Sequence, residues 1–262
     1  MNFTVLTIFP EMFTTFWQYG IVKKAIREKK ISVSAVNIRD FAKGRHRITD
    51  DRPYGGGCGM VMKPEPIAAA IRAIKQRHTS AKTILLTPQG RILNQSLAEN
   101  LKFDKNLILV CGRYEGVDER VCHNFIDYEI SIGDYVMTGG ELAAMVIIDT
   151  VTRLIPGTLG GKDSALKDSF SDDLIEHGHY TRPQIFEGEK VPEVLLSGHH
   201  KKIETWRLET SLIRTFLKRQ DLLEKRVLSK KEINILNKWC LDIEKIIQAQ
   251  SLFNTGALSS SQ

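Results

Sequence analysis

Cysteine is scarce and scattered. The four in this chain of 262 residues, Cys58, Cys111, Cys122 and Cys240, show no C-x-x-C spacing. That argues against a disulfide framework or a cysteine zinc site, and a reducing cytoplasm fits. No apolar run reaches the roughly 20 residues a membrane-crossing helix needs. Met1-Asn2-Phe3-Thr4-Val5-Leu6 lacks a basic flank and a small-residue cleavage site, so it is expected to be a first strand and not a secretion signal. Phosphate-binding fingerprints are missing too. No GxGxxG is present, since the Gly55–Gly59 cluster has the wrong spacing and no strand before it. No GxxxxGK[ST] is present either, since Gly161-Lys162 is followed by Asp163. HExxH is absent, and His177, His179, His199 and His200 show no carboxylate or cysteine partner at metal spacing, so they read as surface histidines.

What the chain does have is glycine at the ends of strands. Thr83-Ile84-Leu85-Leu86-Thr87 runs into Pro88-Gln89-Gly90. Leu107-Ile108-Leu109-Val110 runs into Cys111-Gly112-Arg113-Tyr114-Glu115-Gly116. Tyr128 to Ile132 runs into Gly133, and Gly139-Gly140 then opens a long apolar helix. One such turn is ordinary. Three within sixty residues point to a ligand site built from main chain at the carboxyl ends of strands in an open α/β sheet. Strands alternating with helices through the first half predict a parallel sheet. Helices are expected over 64–78, 94–101, 117–124 and 140–154.

Residues 40–60 have no periodicity and hold five glycines with Arg45, His46, Arg47 and Arg52, a set suited to phosphate contacts. From Gly157 the chain turns glycine-rich and polar, as a linker does. Beyond it the pattern is helical. Residues 201–219 place Ile203, Trp206, Ile213 and Leu217 roughly on one face. Ser229-Lys230-Lys231-Glu232 is a capping box that opens a helix to about Gln248. Net charge is +6, and residues 179–262 carry 14 Lys and Arg against 10 Asp and Glu, a weak pointer to a polyanion.

Several segments together closely resemble the bacterial tRNA (guanine(37)-N1)-methyltransferases of the SPOUT superfamily. They are Asp51 to Gly57, Leu109 to Gly116, Ser131 to Leu142, Asp168-Ser169-Phe170 and His179-Tyr180-Thr181-Arg182-Pro183, within a match from Ile8 to at least Arg207. The resemblance implies an α/β fold with a deep trefoil knot across Leu85–Leu142, plus a small C-terminal helical domain. It divides the chain into a catalytic domain (1–156), a flexible linker (157–175), a helical tRNA-binding domain (176–252) and a disordered tail (253–262). S-adenosyl-L-methionine would be held by Leu86, Thr87, Pro88, Gly112, Tyr114, Glu115, Ile132, Gly133, Asp134, Tyr135, Val136, Met137, Gly139 and Gly140.

The same resemblance makes Asp168 the general base and Arg153 the cation that stabilises the guanine oxygen, with Asp50, Arg52 and Ser164 gripping the substrate. It implies a cytoplasmic homodimer with active sites at the interface, a requirement for Mg2+ at unknown ligands, and tRNA as partner, which the histidines above would face. Two positions depart from the family pattern. Cys58 stands where proline is usual, and Lys167 stands where an acidic residue is common. A ribose 2′-O-methyltransferase on the same fold and a non-catalytic RNA-binding protein are the alternatives.

Overall fold

The computed structural model describes residues 1–160 and 168–258, with side chains through residue 248. Ser164 and Lys167 lie outside the described residues. The chain divides into two units, residues 1–165 and 166–262.

The first unit is built on five parallel strands: β1 (Asn2–Thr7), β2 (Ser32–Asn37), β5 (Lys82–Ile92), β6 (Asn106–Cys111) and β7 (Tyr128–Ser131), in the order β2-β1-β6-β5-β7. A small antiparallel ribbon, β3 (Asp50–Asp51) with β4 (Val61–Met62), lies in the glycine-rich stretch. The helices are α1 (Gly20–Arg27), α2 (Pro64–Arg77), α3 (Gln95–Leu101), α4 (Glu119–Phe125) and α5 (Glu141–Leu154).

The central strands read as unbroken apolar runs because both of their faces are buried. Phe3, Val5, Ile84, Leu86, Leu107 and Leu109 point to one side, where α1, α3 and α5 pack through Ala25, Ala98, Ile147, Ile148 and Val151. Leu6, Leu85, Ile108 and Val110 point to the other, against Ile67 and Ile71 of α2 and Val121 of α4. Helix starts follow local chemistry. Asn94 Oδ1 accepts from Leu97 N at 2.9 Å to cap α3, as its sequence predicts, and Asp118 Oδ1 accepts from Arg120 N at 3.0 Å to cap α4.

One expectation needs correcting. Pro88-Gln89-Gly90 does not end the strand at residue 83–87. β5 continues to Ile92, and both Leu86 and Arg91 register with Ile130 of β7. Residues 87–90 therefore stand out of the ladder as a wide bulge. The bulge returns so tightly that a Cβ on Gly90 would lie 2.4 Å from Ile130 N. No helix among the described residues is long and apolar enough to cross a membrane.

The second unit carries a short ribbon, β8 (Ile185–Phe186) with β9 (Glu189–Lys190), and four helices. These are α6 (Glu193–Leu196), α7 (His200–Lys218), α8 (Gln220–Lys225) and α9 (Lys230–Leu258). Its core is small: Leu174, Leu212 and Ile235, with Leu208, Leu223, Leu228 and Trp239 around them. The buried face of α7 is not the predicted one. Ser211, Leu212 and Thr215 are buried, whereas Ile213 and Leu217 are exposed. The two hydroxyls are inside because they serve backbone: Ser211 Oγ donates to Ile175 O, and Thr215 Oγ1 accepts from Ile175 N at 2.9 Å. The capping box is made as read, with Ser229 N donating to Glu232 Oε2 at 2.7 Å and Glu232 N to Ser229 Oγ at 3.3 Å. The helix it opens runs past Gln248 to Leu258.

Candidate active site

The bulge of β5 and the loops that follow β6 and β7 meet around one cavity of about 430 Å³. The bulge of β5 contributes Leu86, Thr87 and Pro88. The loop after β6 contributes Gly112, Tyr114 and Glu115. The long loop after β7 contributes Ile132, Gly133, Tyr135, Val136, Met137, Gly139 and Gly140. Every residue that the resemblance assigned to the methyl donor is thus on this wall except Asp134. That residue is exposed at the tip of a turn closed by Tyr135 N donating to Gly133 O at 2.9 Å.

Two of the loops are locked to each other by main chain. Gly140 N donates to Gly112 O at 3.0 Å, and Arg113 and Gly139 form a single bridge. The approach leaves no room for a side chain: a Cβ on Gly140 would lie 2.8 Å from Cys111 Cα. The lining is apolar where it is most buried, at Leu85, Leu86, Ile130 and Ala143, and polar at the exposed Tyr114, Glu115 and Glu119. The Tyr135 ring lies over Gly133, and its hydroxyl donates to Ile132 O at 3.2 Å. A buried apolar lining together with main-chain groups suits a flat heterocycle and a soft cation.

A buried charge pair underlies the walls, and sequence reasoning passed over it. Glu141, 1% exposed, meets the Arg113 guanidinium at 3.1 Å and accepts from Thr7 Oγ1 at 2.7 Å. The same guanidinium lies 4.6 Å from the centre of the Phe9 ring. These contacts tie the amino end of α5 to β1 and to the loop after β6. The available signal was a lone glutamate opening a helix whose next turns are wholly apolar. Next to the pair, burial and then the Glu141 charge push the Cys111 thiol well up, so it stays protonated and unreactive.

The loop after β6 rests on the glycine-rich segment. Glu115 N donates to Met60 O at 3.0 Å, Met62 N to Gly116 O at 2.9 Å, and Asp118 N to Met62 O at 3.0 Å. Met62 in turn pairs with Asp50 in the ribbon. Asp50 is therefore positioned beside this loop, with Arg52 exposed just beyond; neither lines the cavity. Arg153 is exposed in the last turn of α5. Thirteen residues of helix at 1.5 Å each put it roughly 20 Å along the axis from Gly140. Asp168 is half-buried in the second unit, where its carbonyl accepts from Ser171 N at 3.2 Å.

The second unit corrects the reading of the histidines. Glu176 Oε1 and His179 Nε2 are 2.9 Å apart, and the His177 ring lies beside that of His179, tilted by 50° with centres 4.7 Å apart. His179 thus has a carboxylate partner three residues away that a search for standard metal spacings overlooks. Among the described residues, no group of three metal-capable side chains gathers at the cavity itself. Magnesium takes an octahedron of oxygens, several of them water, and Glu115 and Glu119 are the carboxylates on the cavity lining.

Residues 1–225 match the family model described as tRNA (Guanine-1)-methyltransferase TrmD. Among similar proteins, one from Desulfatibacillum aliphaticivorans is 55% identical over 259 residues, covering 99% of each chain. One from Carboxydothermus hydrogenoformans is 55% identical over 232 residues, covering 88% of this chain and 91% of its own. One from Syntrophotalea carbinolica is 52% identical over 236 residues, covering 90% and 95%. All three carry the name tRNA (guanine-N(1)-)-methyltransferase.

Proposed function

Since the chain belongs to the tRNA (guanine-1)-methyltransferase family, we propose that it methylates N1 of guanosine 37, the nucleoside 3′ of the tRNA anticodon, and so supports reading-frame maintenance in the cytoplasm. The observation that carries this reading is the convergence of the β5 bulge and the two glycine-bearing loops after β6 and β7 on one cavity with buried apolar residues in its lining. Bound there, S-adenosyl-L-methionine supplies an electrophilic methyl group on a sulfonium.

The chain's own residues do the rest. Guanine N1 normally carries a proton, and its lone pair is delocalised, so the nitrogen attacks only as the proton leaves. Asp168 takes that proton. The charge that builds on the guanine oxygen is met by the Arg153 guanidinium, a planar donor suited to an enolate-like oxygen. N1 then bonds to the methyl carbon as the carbon–sulfur bond breaks, leaving a neutral thioether. Asp50, Arg52 and Ser164 grip the target guanosine or its neighbour. The glycine-walled loops hold the donor through main chain, which is why no phosphate fingerprint is needed. With the family reading go the trefoil knot, the use of the second unit as a tRNA-binding domain, and a homodimer in which one protomer's cavity meets the other's Asp168 and Arg153. Mg2+, which the family reading also calls for, would draw on Glu115 and Glu119 as the carboxylates of the cavity lining, with water filling its other positions.

The test is incubation with labelled methyl donor and unmodified tRNA, followed by digestion to nucleosides. Label in 1-methylguanosine is the expected result. Label in a ribose-methylated nucleoside, or none at all, overturns the proposal. Asp168→Asn should keep donor binding by calorimetry and lower single-turnover methylation by about 10²–10⁴-fold. Unchanged turnover would remove Asp168 as the base.

A further inference from the structure

We propose that Glu176, His177 and His179 form a binding site for a divalent transition metal of the zinc type, separate from the methyl-transfer cavity. One ligand atom from each of the three lies within 4.8 Å of the other two. Two imidazoles and one carboxylate make a borderline-soft donor set that suits zinc, nickel or cobalt and discriminates against magnesium, which takes oxygen ligands.

Three details go beyond proximity. First, His177 Nδ1 lies 3.1 Å from Gly178 O. A carbonyl can only accept, so Nδ1 carries the proton and Nε2 keeps its lone pair for a metal. That is the arrangement by which backbone fixes the tautomer of a metal-binding histidine. Second, Glu176 Oε1 already meets His179 Nε2 at 2.9 Å, close to the separation of neighbouring ligands around zinc, roughly 3.3 Å for bonds near 2.0 Å. A metal replaces the shared proton with little movement. Third, the segment is held at its start and flank. Ile175 N donates to Thr215 Oγ1 at 2.9 Å, Glu176 N donates to Ser169 Oγ at 3.0 Å, and the His177 ring lies 6.1 Å from that of Trp206 on α7. The His179 side chain is 66% exposed, which leaves its ring room to adjust. Three protein ligands leave a fourth position for water. Through Glu176 and Ser169, the ion fastens the turn that begins at Asp168.

The experiment uses the full-length, tag-free chain, stripped with chelator. It is titrated with Zn2+ by calorimetry and with Co2+ by visible absorption. One equivalent per chain is expected, with cobalt bands typical of mixed nitrogen and oxygen ligation. His177→Gln and His179→Gln should each weaken zinc at least about tenfold, with unchanged far-ultraviolet circular dichroism. The double variant His199→Gln/His200→Gln should bind as the parent does, and millimolar Mg2+ should not displace zinc. Absence of uptake by the parent chain, or parental affinity in both His177→Gln and His179→Gln, overturns the site. Neither readout depends on methyl transfer, so failure here and failure of the functional proposal remain distinguishable.

Discussion

Glu141 shows how much of the cavity depends on a residue that never faces a ligand. Its carboxylate is almost wholly buried, and its partners Arg113 and Thr7 come from two other elements. Removing one member of such a pair leaves a charge stranded in low dielectric, which costs about 3–5 kcal/mol. Glu141→Gln should therefore lower stability to urea by that order and loosen the junction of the loops after β6 and β7. Replacing both partners with apolar residues, Arg113→Met with Glu141→Leu, should cost less than the single change. The two variants are compared by denaturant unfolding; if the double variant is the weaker of the two, the stranded charge is not the cause. Residue by residue, the cavity wall was legible because glycine marks close backbone approach whatever the surroundings, as at Gly140. Glu141 was not legible. A glutamate in the first turn of a helix is ordinary by the helix dipole alone, and only the fold shows that this one is sealed. That Asp134 stands off the cavity lining was hidden for a related reason: proximity in sequence to Gly133 and Tyr135 does not determine which way a turn points.

Elements make the same distinction between local and long-range information. The capping box before α9 is a four-residue pattern, so it could be read directly, and the fold adds what it cannot contain. Glu232 is buried and also meets Arg226 at 2.8 Å. Burial alone would raise its pKa, but the hydrogen bonds from Ser229 and then the Arg226 charge more than offset this, and the carboxyl lies below its ordinary 4.5. A lowered folded pKa means the carboxylate stabilises the fold above its ordinary pKa, and that this stabilisation disappears as pH falls through the folded value. Glu232→Gln should thus lose about 1.5–3 kcal/mol near neutral pH, seen as faster amide exchange in the first turns of α9. The difference from the parent chain should shrink as pH falls through the lowered folded value; a difference that stays unchanged into acid would assign the effect to packing. Two other elements escaped sequence reading because their causes are distant. The bulge of β5 depends on how β7 registers against it. The inward face of α7 is set by the carbonyl and amide of Ile175, 36 and 40 residues from the hydroxyls that serve them.

At the scale of the whole molecule, the first unit alone cannot assemble the proposed chemistry. α5 begins at the cavity and carries Arg153 to its far end, roughly 20 Å away along the axis, well beyond the reach of an arginine side chain. In the proposed dimer a second protomer would supply Arg153 and Asp168 to the cavity of the first, and that arrangement makes a quantitative demand. One chain is disabled at the base by Asp168→Asn. The other is disabled at the donor cavity by Gly112→Leu. This position is chosen because a Cβ there meets only ordinary contacts, with Val117 Cγ2 at 3.5 Å, so that the added methyl groups fill the cavity and spare the backbone. Each variant alone should be inactive as a homodimer. A mixed dimer places the intact cavity of the Asp168→Asn chain beside the intact Asp168 of the Gly112→Leu chain, which restores one of its two sites. Mixed dimers isolated with two different affinity tags should therefore recover about half of parental turnover, as active sites that act independently add. If base and cavity worked within a single chain, every site in the mixture would lack one component, and verified mixed dimers would stay as inactive as their parents.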